Sequence, residues 1–336
     1  MVKKIYVYGA EYIGWSIDED VNFVKTTVEG LGYRTSNNFF CGEVFCVNWV
    51  KLHQKLGKLM PIIKYFSRIT VWITNDLDHH LADFEKFSAC VSHFICANSK
   101  QQETLKKIGI SEKHITILPY WTDPNVFNST AVGHKQTLSK IVRRSKDELL
   151  IGTFQRDSLG SELDLPKWQK NPTQLVELMK LADNKIPLRL VLAGPRRHYI
   201  IGELKRNEFP YHFEGDKTAF DNGIDDIKMN TLNPRQIAGL YNTLDAYVVT
   251  SVSEGGPKAI MECLNSNCLV FSRAVGVAPD LLTEDFLFND SIELINKLIN
   301  IESHREKFCE LSAAFRRKHT RNYYTEKIKK VLDCEN

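Results

Sequence analysis

The stretch AYVVTSVSEGGPKAIMECLNS, residues 246–266, passes from one kind of periodicity to another. A strand is expected over Ala246–Thr250 and a helix over Pro257–Asn265, joined by a loop that contains Gly255 and Gly256. Pro257 suits the first helical turn, where its missing N–H costs nothing, and the two glycines let backbone amides come close to a ligand. A helix N-terminus with exposed amides attracts phosphate. Two acids frame the junction. Glu254, still in the loop, is placed to accept hydrogen bonds from sugar hydroxyls, whereas Glu262 can point back along the helix toward a ribose. Lys258 stands at the helix start between them.

Outward from this segment, short apolar runs alternate with amphipathic stretches along the whole chain, as parallel strands joined by crossover helices do. An α/β fold follows. Strands are expected at Ile5–Tyr8, Thr70–Thr74, Phe94–Ala97 and Ile115–Leu118, and again at Leu149–Phe154, Leu188–Ala193, Tyr211–Phe213, Ala246–Thr250 and Leu269–Ser272. Between the two groups, residues 130–146 are polar and basic with little periodicity, which places a domain boundary near residue 140. With 336 residues the chain exceeds one ordinary core. Two Rossmann-like domains, 1–140 and 141–336, are therefore expected to face each other across a cleft at the carboxyl ends of their strands, with the last helix packing back on the first domain.

Composition narrows the partners. Forty-four Lys and Arg against forty-one Asp and Glu leave a formal +3, too little for the broad basic field of a nucleic-acid binder. No apolar run reaches membrane-span length and residues 1–8 lack a secretory pattern, so a cytoplasmic location is expected. The eight cysteines include no C-x-x-C pair, and buried reduced thiols are their simplest reading. Residues 49–66 are basic and apolar by turns, so one part reads as a core-facing helix broken at Pro61 and another as a peripheral contact with the inner face of an anionic membrane.

Two further clusters follow strands. IGTFQRDS, residues 151–158, and LPKWQKNP, residues 165–172, place Arg156, Lys167 and Lys170 between a strand and a helix. In the first half, YGAEYIGW, residues 8–15, sets Gly14 in a loop without a full G-x-G-x-x-G pattern, and NDLDHH, residues 75–80, gathers Asp76, Asp78, His79 and His80 at a strand end. Isolated His and Asp in loops are more often solvated than metal-ligating, and no metal site is assigned.

Taken together, the order of these motifs resembles the retaining two-domain glycosyltransferases of family 4, which have the GT-B fold. Their E-x7-E hallmark corresponds to Glu254 and Glu262, followed by a second glycine loop at Gly276 and an acid at Asp280. The resemblance implies a donor-binding C-terminal domain in which Glu262 holds the ribose, Glu254 the sugar, and Arg156 and Lys170 the diphosphate, with Gly194, Gly255, Gly256, Pro257 and Lys258 lining the donor. It also implies an acceptor side in the N-terminal domain, near Gly14, Asp76 and His79. The donor would be a UDP- or GDP-sugar, the acceptor a carbohydrate or lipid-linked hydroxyl, and no cofactor would be required. The chain departs from the family at Asn171, where glycine is usual, which leaves Lys167 as a substitute for Lys170. Two other classes fit the fold: a sugar-nucleotide epimerase and a non-catalytic carbohydrate-binding protein.

Overall fold

The computed structural model describes residues 3–12, 14, 16–130, 145–183 and 185–333. Among these residues eleven strands are formed: β1 (Lys4–Tyr8), β2 (Arg34–Thr35), β3 (Gly42–Cys46), β4 (Arg68–Trp72), β5 (His93–Cys96), β6 (Ile115–Ile117), β7 (Leu149–Thr153), β8 (Leu188–Ala193), β9 (Tyr211–Glu214), β10 (Ala246–Val249) and β11 (Val270–Ser272). They make two all-parallel sheets, in the orders β2-β1-β3-β4-β5-β6 and β11-β10-β7-β8-β9. Parallel neighbours require crossovers, which helices supply here. Strands such as β10, buried at every residue, are therefore continuous apolar runs.

The chain divides into two compact units, Met1–Trp121 with Lys318–Asn336, and Thr122–Arg317. The boundary expected near residue 140 falls within 131–144, outside the described residues, as does Cys334. Within the first unit, one face of the sheet is covered by Trp49, Leu52, Met60, Ile63, Phe84 and Phe87. Elsewhere in that unit Phe23 stacks on Trp121 at 4.9 Å and meets Tyr324, from the helix Arg321–Asp333, at 5.8 Å. That helix is fastened by three more contacts: Tyr324 donates to Tyr120 O at 3.2 Å, Arg68 to Val331 O at 2.8 Å, and the Arg321 guanidinium lies 4.8 Å from the Phe23 ring centre.

Strand β3 was not among the expected strands. Its sequence, GEVFC, carries Glu43 at a buried position, where Thr70 donates to the carboxylate at 2.9 Å and Arg68 approaches it at 3.4 Å. Burial still pushes that carboxyl up to about 7, against the opposing pull of Arg68 and Thr70.

In the second unit, β7 leads outward to β8 and β9, and β10 leads the opposite way to β11. The crevice where the two directions part lies beyond the carboxyl ends of β7 and β10, the usual ligand position in open α/β sheets. The segments following these two strands contain Arg156 and Glu254. The seven described cysteines are free thiols, and no helix among the described residues is long and apolar enough to cross a membrane.

Candidate active site

The loop after β10 closes on the loop after β7 through a chain of short contacts. Val252 N donates to Gln169 O at 2.8 Å, and the Thr250 hydroxyl to Lys170 O at 2.8 Å. Gln155 supports the same carbonyl from the other side, its amide nitrogen lying 3.1 Å from Lys170 O and 2.9 Å from Thr250 Oγ1. Lys170 is thus held by its backbone at the end of the 3-10 turn Trp168–Lys170, and its ammonium forms an ion pair with Glu254. The pair is mostly buried, with 18% and 17% of the two side chains exposed, and the Ser251 hydroxyl lies 2.8 Å from the same carboxylate oxygen.

Asn171 explains how the departure from glycine is accommodated. Its backbone is left-handed, at φ 45° and ψ 54°, a region Asn enters more readily than other non-glycine residues. Its side chain is tied to the next helix, with the Asn171 amide donating to Gln174 at 3.1 Å and the Thr173 hydroxyl donating to Asn171 at 2.9 Å.

Lys167 belongs to the same cluster. Burial first, and then the positive charges of Arg156 and Lys170, push its ammonium down to about 8, while Glu254 pulls the other way. A lysine disfavoured by neighbouring cations is a ready-made anion contact, because a bound diphosphate removes the repulsion. Below this cluster lies a buried ion pair. Arg197 Nε stands 3.1 Å from Asp157 Oδ2, and each side chain is 1% exposed. Burial pushes the Asp157 carboxyl up to about 7, opposed by Arg197 and by backbone hydrogen bonds from Ile200 and Tyr199 at the start of the helix His198–Arg206. The adjacent Gly194 has φ 82°, a backbone state that suits glycine, and a Cβ there would press on Phe154 O at 3.2 Å.

On the helix side, Pro257 occupies the cap position, one residue earlier than expected, and Lys258 begins the helix Lys258–Ser266. Pro257 itself offers no side-chain cap to this end, which lies beside Gly255 and Gly256. Gly276 buttresses the turn. It has φ 55°, and a Cβ on it would meet Pro257 Cδ at 2.8 Å and Gly256 Cα at 2.9 Å. Glu262 accepts a 2.7 Å hydrogen bond from Tyr241, a core residue packed among Phe154 and Tyr247.

The structure therefore gathers Arg156, Lys167, Lys170 and Glu254, and orients Glu262 through Tyr241. Sequence reasoning did not single out Gln155, Thr250, Ser251 or the Asp157–Arg197 pair. The only local hint was polar residues packed against strand ends. Gly14, Asp76 and His79 lie in the other unit. Gly14 N and the amides of Glu11 and Tyr12 converge on the Asp18 carboxylate at 2.6–3.0 Å. Lys100 contacts Asp78 at 2.6 Å and Asp76 at 3.9 Å, and His79 is exposed. Among the described residues no group of three or more His, Cys, Asp or Glu is placed to hold a metal.

Comparison with known proteins shows what the chain resembles. Residues 166–317 match the model described as glycosyl transferases group 1. Among solved structures, HepE of Anabaena, in complex with UDP and glucose, is 14% identical, with 99% of each chain covered and a TM-score of 0.72. Sucrose-phosphate synthase of Thermosynechococcus elongatus is 12% identical over 98% of each chain, with a TM-score of 0.67. The α,α-trehalose 6-phosphate synthase of Burkholderia multivorans is 11% identical over 86% of this chain and 70% of that one, with a TM-score of 0.62. No curated protein sequence matches significantly. Residues 166–317 thus match the group 1 glycosyl transferases, and the whole chain shares the fold of these two-domain GT-B structures.

Proposed function

We propose that the protein is a retaining transferase that moves a sugar from a nucleoside-diphosphate sugar to a hydroxyl of a glycan or glycolipid, with the donor held by the second unit. The observation that carries this reading is the Lys170–Glu254 ion pair, set where β7 and β10 part and flanked by Arg156 and Lys167. In the resting protein Glu254 neutralises Lys170. An arriving diphosphate competes for the ammonium, and the carboxylate so released turns to the sugar hydroxyls. Arg156, Lys170 and the amides at Gly255, Gly256 and Lys258 then face the phosphates, Gly194 allows close backbone approach, and Glu262 takes the ribose.

As the bond from the anomeric carbon to the phosphate oxygen breaks, negative charge grows on the diphosphate and the fixed cations stabilise it. The acceptor oxygen bonds to that carbon on the same face, and its proton passes to the departing phosphate oxygen. No protein nucleophile is needed. A UDP-sugar is favoured as donor, since HepE crystallised with UDP-glucose. The first unit, with Gly14, Asp76 and His79, is assigned to the acceptor. A cytoplasmic location is consistent with the free thiols.

Cations already balance the diphosphate, so turnover is expected to survive exhaustive EDTA treatment. Loss of activity with rescue by magnesium would move Asp76 and Asp78 to the centre of the site. The donor site itself is tested by Glu262→Ala, which removes a carboxylate pre-aligned by Tyr241. Calorimetric titration with UDP is expected to show a loss of about 1.5–3 kcal/mol, the range for hydrogen bonds to a charged group. An unchanged dissociation constant would take Glu262 out of the site.

A further inference from the structure

The structure separates the basic and apolar stretch 49–66 into two faces. The helix Trp49–Leu56 and the helix Met60–Phe66 bury Trp49, Leu52, Met60 and Ile63 in the core, while Leu59, Ile62, Tyr65 and Phe66 remain exposed, Tyr65 to 83%. Leu59, Ile62 and Phe66 share one side by helical spacing. Phe40, distant in sequence and also exposed, joins them. Its ring meets Phe66 edge to face at 5.5 Å, and Phe66 meets Tyr65 at 5.0 Å. Three exposed aromatic rings, with Phe66 touching both others, form a continuous surface, unlike the scattered apolar residues of an ordinary exterior.

The charge along this stretch of the chain is almost all of one sign. Between Glu29 and Asp76 the only acid is Glu43, which is buried against Arg68 and Thr70. The same span holds Arg34, Lys51, Lys55, Lys58, Lys64 and Arg68. Lys55 and Lys58 are exposed on the approach to the patch, and Lys64, on the patch helix, donates to Ala89 O at 2.6 Å. A second copy of the chain fits poorly, because a two-fold contact would bring this basic rim against itself. An anionic bilayer matches both parts, with apolar side chains entering the boundary between headgroups and acyl chains and lysines resting on phosphates.

We propose that Phe40, Leu59, Ile62, Tyr65 and Phe66, with Lys55 and Lys58, seat the protein on an anionic membrane surface. This assignment is separate from the donor site and is read without nucleotide. The full chain is sedimented with vesicles of phosphatidylcholine mixed with phosphatidylglycerol, and with vesicles of phosphatidylcholine alone. Binding to the mixed vesicles is expected, weakening in high salt. The variant I62S/Y65S/F66S should lose binding by at least about tenfold, since three apolar side chains no longer leave water. Lys55→Gln with Lys58→Gln should lose on the order of 30-fold, from two charges near the lipid surface. Because every altered residue is exposed, an unchanged circular dichroism spectrum and melting temperature should accompany both. Wild-type protein remaining in the supernatant, or full binding by the triple serine variant, would overturn the proposal. So would a wild-type dimer that binds no vesicles and that the triple variant converts to monomer.

Discussion

Lys170→Ala is expected to reduce turnover by roughly two to three orders of magnitude, the usual cost of losing one preorganised group that stabilises transition-state charge. The side chain starts from a fixed place. Thr250 and Gln155 hold its carbonyl, and Glu254 holds its ammonium in a site largely closed to water. Little reorganisation is then needed when charge develops on the diphosphate, so the loss should fall on turnover more than on donor affinity. The part that does fall on affinity has an identifiable source. Without Lys170 the Glu254 carboxylate loses its cation and repels the phosphates, so removing Glu254 as well should restore donor binding but not turnover. Steady-state kinetics on the single and double variants measure both effects. If Lys170→Ala were silent and Lys167→Ala crippling, the assignment would be three residues out.

Arg197→Leu is expected to cost the fold about 3–5 kcal/mol at neutral pH, because it strands the buried Asp157 carboxylate without its partner. The single loss should exceed that of the double variant D157L/R197L. Replacing both members of a buried pair by apolar residues is often close to neutral, and both side chains are 1% exposed here. The sign of the pH dependence follows from burial. Asp157 already stands at about 7 with Arg197 present, and it rises further without that cation. A carboxyl raised in the folded state favours folding when protonated, so the single variant should lose stability as pH rises from the unfolded value near ~4 through 7 and beyond. Urea unfolding at pH 5 and pH 8 checks this: a loss equal at both would mean Asp157 is not the stranded group. Because Asp157 follows Arg156 directly, activity lost in the single variant but kept in the double one would also separate charge from packing.

The candidate site was readable in the sequence where its parts are local. Glu254, Gly255, Gly256 and Glu262 occupy one strand-loop-helix passage, and the strand is a continuous apolar run because both of its faces are covered. Where partners come from afar, the sequence was ambiguous. Lys167 and Lys170 are equivalent as text. What places Lys170 on Glu254 is the turn at Asn171 together with Gln155, 15 positions away, and Thr250, 80 positions away. Strand β3 was hidden because a buried glutamate interrupts its apolar pattern, and the arginine that makes it tolerable belongs to the next strand. Asp76 and Asp78 read as loop acids at a strand end, and Lys100, after the following strand, lies against both.

The return of the helix Arg321–Asp333 to the first unit bears on how the chain is made. N-terminal domains commonly fold as they leave the ribosome. Here Phe23, Trp121 and Tyr120 wait for Tyr324 and Arg321, residues synthesised about 200 to 300 positions later, whereas residues 122–317 hold all the strands of their own sheet. The second unit can therefore complete its core while the first still exposes an aromatic face. Translation stopped before residue 318 would release a chain with a finished second unit and a first unit that chaperones must shield.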